Sequence, residues 1–288
     1  MMKKILALLI ALLLCVTALA ACGNTQNTGS GAQDSQSSSG EVTVEEQTVF
    51  DDQGIKAVVK GLGKYEGDFV SFDQALLIEV TNSTGKNISF GLSRCSVNGY
   101  MIDSNYSYTI EAGKTDTYPG AFDDAKLEAL GVTTIADYEF CIVAEDEETY
   151  ETLVESDPIS VKTSAYEGFE YTYDESGTVL YDADGIKIVA QGLEEDEYLG
   201  PGVKIYIANN SDKGIAVGVA SGSVNGKEVN DFSFGADPAA GKHSIELLSI
   251  GDEERPEKIE SLTLSFSIYD WDTGDAIVEK TEPVTVTF

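Results

Sequence analysis

From residue 48 onward, apolar and polar positions alternate with a period of two. Leu76, Ile78 and Val80 are interleaved with Leu77, Glu79 and Thr81, and Val203, Ile205 and Ile207 with Lys204, Tyr206 and Ala208. Leu262, Leu264, Phe266 and Ile268 repeat the pattern around Thr263, Ser265 and Ser267. Successive side chains of a strand point to opposite faces, so this period predicts strands with one face on a core. Turn chemistry separates them: Gln53-Gly54, Asp184-Gly185, Asn98-Gly99, Asn225-Gly226 and Thr273-Gly274. Strands do not alternate with long helical patterns, which argues against a parallel α/β sheet. One short helix is expected within 123–131, where an aspartate can cap, good helix formers follow and Gly131 closes.

The pattern is written twice. GIKAVVKGL at 54–62 returns as GIKIVAQGL at 185–193, identical at six of nine positions. LLIEVTNSTGKNISFGL (76–92) aligns with VKIYIANNSDKGIAVGV (203–219), and SVNG recurs at 96–99 and 223–226. EFCIVAED (139–146) aligns with SFSIYDWD (265–272) at an offset of 126, and DPISVKT (157–163) with EPVTVTF (282–288) at 125. A period this long means duplicated globular domains, because solenoid units are much shorter. The expected organisation is one all-β domain at 48–163, a linker at 164–177 and a second domain at 178–288. Each would hold about seven short strands in an antiparallel sandwich. The helix is expected to be shorter or missing in the second copy, where Arg255-Pro256-Glu257 stands.

The N-terminus adds a location. Lys3 and Lys4 precede the apolar run Ile5–Leu14, and small residues follow up to Cys22. That reads as a signal peptide at 1–21, too short in its apolar run to span a bilayer. Leu19-Ala20-Ala21-Cys22 resembles the lipobox of bacterial lipoproteins, which implies cleavage before Cys22 and diacylglycerol on its sulfur. Two acyl chains give stable anchoring where one does not. Residues 22–47 would form the lipid-anchor cysteine and a flexible linker. Gly23–Gly40 lacks any large apolar side chain, and its random-coil reach is roughly 25 Å.

Loss of Lys3 and Lys4 with the signal peptide takes the formal net charge from −32 to −34. A chain so acidic repels nucleic-acid phosphates, anionic headgroups and anionic wall polymers, so no nucleic-acid partner is expected.

The D-x-x-G-I-K opening of each copy (from Asp51 and from Asp182) and the strand end Val80–Ser83, echoed at Ile207–Ser211, carry a further resemblance. The layout is similar to immunoglobulin-like tandem-domain lipoproteins of Gram-positive bacteria, a group largely without assigned activities. It implies two tandem immunoglobulin-like antiparallel β-sandwiches. Neither copy has the Cys…Trp…Cys core of antibody domains, so only the architecture carries over, and architecture does not fix function.

Candidate chemistry is sparse. Cys95 and Cys141 share the outward parity of their strands, and both are missing from the aligned positions of copy two, so a disulfide between them is one expectation and two separate thiols the other. Asp270, Asp272 and Asp275 in DWDTGD offer oxygen ligands, but the spacing departs from a calcium loop and reads as a hairpin turn; no metal site or cofactor is expected. His243, the single histidine, is expected at the surface, with no nucleophile motif around any serine. Tyr100, Tyr106, Tyr108 and Tyr118, and Tyr166, Tyr171, Tyr173 and Tyr181, form two clusters in sequence that could stack on sugars or simply cover sheet faces.

The expected function is a non-catalytic, lipid-anchored cell-surface protein on the outer face of the membrane, a binding or scaffolding module for a protein or uncharged glycan. The alternatives are a glycan-binding module using exposed tyrosines, a cation-dependent adhesion module and, from another class, a cell-envelope hydrolase working through carboxylates.

Overall fold

The computed structural model describes residues 42–288 apart from 68–69, 103, 105, 121, 123, 197–199 and 252. The signal peptide, Cys22 and the Gly23–Gly40 segment lie outside the described residues, as does Asp123 of the expected helix cap. The first copy runs β1 (Gln47–Asp52), β2 (Ile55–Glu66), β3 (Ser71–Asn82), β4 (Ile88–Val97), β5 (Tyr100–Met101), β6 (Ser107–Ile110), β7 (Thr115–Gly120), α1 (Asp124–Ala129), β8 (Asp137–Asp146), β9 (Thr152–Glu155) and β10 (Ile159–Lys162). The second runs β11 (Thr178–Ala183), β12 (Ile186–Asp196), β13 (Gly200–Asn209), β14 (Ile215–Val224), β15 (Lys227–Val229), β16 (Phe232–Ser233), β17 (His243–Ile250), β18 (Ser261–Asp270), β19 (Ala276–Val278) and β20 (Val284–Thr287). The chain is therefore nearly all β, and the single described helix sits inside 123–131 as expected.

Sheet order repeats with the sequence. In copy one, β1-β2-β3-β7 form one sheet, and β4 and β8 centre the other, flanked by β10 and β9 beside β8 and by β5 and β6 beside β4. In copy two, β11-β12-β13-β17 match the first sheet, and β15-β14-β18-β19 with β20 match the second. The alternation explains why. Leu76, Ile78 and Val80 of β3 meet Phe90 and Leu92 of β4 and Phe140 and Ile142 of β8 in one buried cluster. Ile205 and Ile207 of β13 meet Leu264, Phe266 and Ile268 of β18 in another. Each lobe thus has its own core between facing sheets, as a sheet with one apolar face requires.

Polar residues pin the corners identically in both lobes. Asn82 and Asn209 are completely buried at the ends of β3 and β13. Asn82 Nδ2 donates to the carbonyls of Lys86 (2.8 Å) and Ile110 (2.9 Å), and its Oδ1 accepts from Thr84. Asn209 Nδ2 donates to Lys213 (2.7 Å), Pro238 (2.9 Å) and Ala239 (3.0 Å), and its Oδ1 accepts from Ser211. This is the physical content of the repeated strand-end motif: a short amide side chain replaces the ladder where the chain leaves the sheet.

The structure corrects one alignment. Phe90 faces Ala144 across the β4–β8 ladder, and the equivalent Val217 faces Ile268. The β8 and β18 strands therefore correspond at an offset of 124, not 126. A slip of two residues preserves which side chains face inward, so composition could not reveal it.

All pairings described within each lobe are antiparallel, but one parallel bridge joins the lobes. Tyr100 of β5 pairs with His243 of β17, merging the second sheet of copy one with the first sheet of copy two into eleven strands. Glu41–Phe288 accordingly forms one compact unit.

Removing the amide of Asn209 takes one donor from each of the Lys213, Pro238 and Ala239 carbonyls, which keep the Ser211 hydroxyl and the Ile215 and Lys242 amides. Asn209→Ala is expected to destabilise the protein by about 1–3 kcal/mol. Urea unfolding would read this as a lower midpoint; an unchanged midpoint would refute the corner-pin role.

Candidate functional site

The chemistry concentrates where the lobes meet. The Asn98-Gly99 turn, with φ of 49° and 78°, is the tight hairpin that SVNG encodes. Asn98 also fastens the chain entering β8: its Nδ2 donates to the Thr134 carbonyl, and its Oδ1 accepts from the Ala136 amide at 2.7 Å. Asn225 repeats this with Lys258 and Glu260. The first copy's turn has a second use. Gly99 accepts a hydrogen bond from the His243 amide at 2.9 Å, and Asn98 accepts one from the Tyr173 hydroxyl at 3.2 Å. A Cβ at Gly99 would lie 2.5 Å from the Tyr173 oxygen, whereas nothing lies within 4 Å of a Cβ at Gly226. Glycine at 99 is therefore required by contact as well as by φ.

His243 is buried in this junction, correcting the expectation of a surface residue. Its ring stacks on Tyr173 at 3.6 Å and lies 5.8 Å from Tyr206 and 6.1 Å from Tyr100. Tyr206 is completely buried and its hydroxyl meets His243 Nδ1 at 2.7 Å. The period-two reading placed Tyr206 on the polar face of β13, and that face is what the junction covers. Burial pushes the imidazole pKa down to about 4; Glu175 opposes the shift and Lys242 adds to it. Burial likewise raises the phenol of Tyr206, the ring's hydrogen-bond partner, above its ordinary range. His243 is therefore neutral at physiological pH and shares a proton with a phenol that stays protonated. Its partners are tyrosines, not a serine or cysteine nucleophile.

Charged clasps flank the hub. Lys126 of α1 pairs with Glu246 of β17 at 3.2 Å, and Lys242 with Glu139 of β8 at 3.0 Å. Arg94 lies 4.7 Å over the Trp271 ring and 3.8 Å from Asp272, so it reaches from β4 onto the second lobe.

Arg94 also settles the cysteines. It has a left-handed φ of 51° and sits at a break in register between Ser93 and Ser96, a β-bulge that inserts an extra residue. Cys95 thereby turns into the first lobe's core, while Cys141, opposite Ser93, keeps the outer face. The expected Cys95–Cys141 disulfide is not formed; both are buried thiols on opposite faces of the sheet. Burial pushes the Cys141 thiol up against the opposing pull of Arg94, which keeps it protonated and a weak nucleophile.

The DWDTGD segment is a turn built on Asp270, whose Oδ1 accepts from the amides of Asp272 and Thr273 and whose Oδ2 pairs with Lys213. Asp146 does the same in copy one with Glu148, Thr149 and Lys86. Each aspartate's pKa is lowered, chiefly by the hydrogen bond from its lysine. Asp270, Asp272 and Asp275 do not converge on a common point for a cation; among the described residues no three or more His, Cys, Asp or Glu side chains do. The tyrosines do not form a coplanar exposed row: Tyr100 and Tyr118 are buried, Tyr106 and Tyr108 are half-buried, and Tyr171 is exposed. The hub was missed in the sequence because it joins residues from four separated segments; the available signal was a lone histidine in a strand beside a turn conserved between the copies.

No family model matches the chain, and no curated protein matches it. Among solved structures, a crystal structure of the YadV chaperone is similar at 12% identity over 74% of this chain and 92% of that one, with a TM-score of 0.22.

Two outcomes follow. Unfolding without reductant should expose Cys95 and Cys141 as titratable thiols; failure of both to react would restore the disulfide. Because the folded imidazole binds its proton less readily than the unfolded one, stability is full above pH 6.5 and falls as pH drops from there toward about 4. The loss amounts to at most about 3 kcal/mol. Urea midpoints between pH 7 and 4 should decline less steeply in His243→Gln; parallel declines would show that His243 is not the titrating group.

Proposed function

We propose that the mature chain is a non-catalytic module held on the outer face of a membrane by diacylglycerol on Cys22, displaying two tandem immunoglobulin-like sandwiches as one rigid binding or scaffolding body. The observation that carries this reading is the bridged junction. The Gly99–His243 hydrogen bond, the packed Tyr100, Tyr173 and Tyr206 rings and the Arg94–Trp271 contact make the two lobes continuous. A body of fixed shape loses little conformational freedom when it engages a partner, which favours binding over catalysis by moving parts. The net charge of −34 holds such a body away from anionic headgroups while the leash sets its reach.

The test is fractionation of the producing cells. The wild-type chain should partition with membranes and be cleaved by protease added to intact cells, and Cys22→Ala should release it to the medium or arrest its processing. Retention of the wild-type chain inside the cytoplasm, or membrane association unaffected by Cys22→Ala, would overturn the reading.

A further inference from the structure

The turns that follow β8 and β18 share one backbone but carry different tips. The Tyr150 amide donates to the Asp146 carbonyl at 2.8 Å, and the Gly274 amide to the Asp270 carbonyl at 2.9 Å. The Asp146 and Asp270 amides donate in turn to the carbonyls of Glu151 and Asp275. Tyr150 therefore stands where copy two has Gly274, and Glu148 where it has Asp272. The backbone at this place is left-handed in both lobes, with φ of 59° at Tyr150 and 72° at Gly274. Glycine adopts that conformation freely, whereas a bulky side chain there is an outlier. Packing does not explain the ring: Tyr150 is 77% exposed, more than any other large hydrophobic side chain among the described residues. An unpacked aromatic ring in a disfavoured backbone conformation points to display, not to folding.

Copy two shows what such a tip holds. Its turn presents the Trp271 ring and the Asp272 carboxylate to one guanidinium, that of Arg94, which lies 4.7 Å from the ring centroid and 3.8 Å from Asp272 Oδ1. That tip is occupied by the first lobe. Copy one's turn offers the same two chemistries with the ring moved to its far end: Tyr150, flanked by the exposed carboxylates of Glu148 and Glu151. Glu147, in the place of Trp271, accepts from the Thr109 hydroxyl at 2.9 Å. Lys86 feels both flanking carboxylates, but its Nζ is held by Asp146, as that of Lys213 is by Asp270. The lysine therefore does not prevent the copy-two turn from taking a guanidinium, and its counterpart leaves the copy-one tip facing solvent.

We propose that the 147–151 turn docks an arginine side chain presented by a partner protein, its guanidinium stacked on the Tyr150 ring and paired with Glu148 or Glu151; this deepens the binding-module reading above and rests on it. Arginine fits better than lysine, because its planar and weakly hydrated head stacks on aromatic faces. The acidic surface around the turn draws a basic partner toward it. A second copy of this chain is not the occupant, since its two arginines are engaged: Arg94 at the junction, and Arg255 through Nε on the Ile250 carbonyl at 2.9 Å.

The test is calorimetric titration of the whole chain in mild detergent, at low ionic strength, with tetra-arginine amide and tetra-lysine amide. The arginine peptide should bind with a dissociation constant of about 1 mM or tighter, and more tightly than the lysine peptide. Tyr150→Gly keeps the net charge, so it separates the ring from the general pull of an acidic surface. It should weaken arginine binding about two- to fivefold, the worth of an exposed cation–π contact, and erase the preference over lysine. Its melting temperature should not fall, and Tyr150→Phe should bind as the wild type does. Glu148→Gln should cost more affinity than Glu279→Gln, the same change of charge at an exposed site of the second lobe. Absence of arginine binding, equal binding by Tyr150→Gly and wild type, or equal losses in the two glutamine variants would overturn the proposal. So would a lower melting temperature in Tyr150→Gly, which would show that the ring serves the fold. The surface-display reading stands or falls separately, on the Cys22 fractionation.

Discussion

The molecule depends on a place where one hydrogen bond does what a long ladder does elsewhere. Within each lobe, strands are held by continuous antiparallel registers, but the lobes share a single bridge between Tyr100 and His243. One backbone hydrogen bond contributes on the order of 1 kcal/mol net, too little by itself to hold the two lobes together. The bridge persists because aromatic rings are packed around it and exclude water. Tyr206, Tyr100 and His243 are all buried there, each bringing a large apolar face and a polar atom that finds a partner. The uncharged imidazole is what that desolvation demands.

Duplication gave the chain two copies of the same solution, and the copies then diverged where they touch. Asn82 and Asn209 do the same work, as do Asp146 and Asp270 with their lysines. The Asn-Gly turns are equally alike in backbone, yet only the first meets Tyr173 and the β17 amide. Arg94 shows the same economy: one inserted residue breaks the β4 register, sends Cys95 inward and frees a guanidinium to reach Trp271 of the other lobe. The equivalent strand β14 also carries a one-residue bulge, between Val219 and Ser221, but only the first copy's bulge holds a guanidinium that reaches across the junction.

Much of the architecture was legible in the residues. Period-two alternation identified Leu76, Ile78, Val80, Leu262, Leu264, Phe266 and Ile268 as core-facing, and all are buried. Turn chemistry marked the hairpins, and the repeat foretold matching sheet orders in the two halves. These are local rules: a strand's faces and a turn's φ angles are set by neighbours in the chain. The candidate site was not legible in that way. Tyr206 reads as outward because it lies on the polar parity of β13, and nothing nearby in sequence says that another lobe covers it. His243 misled for the same reason.

The sequence by itself determined the strand faces, the hairpin turns, the duplication and the acidic surface, because each follows from the order and type of residues over short spans. Only the tertiary structure decided that Cys95 and Cys141 face apart, that His243 is enclosed and that the two sheets join. Those outcomes turn on a single bulge residue and on contacts between segments some 140 residues apart, such as Gly99 and His243, whose meeting is set by three-dimensional packing and leaves no periodic trace along the chain.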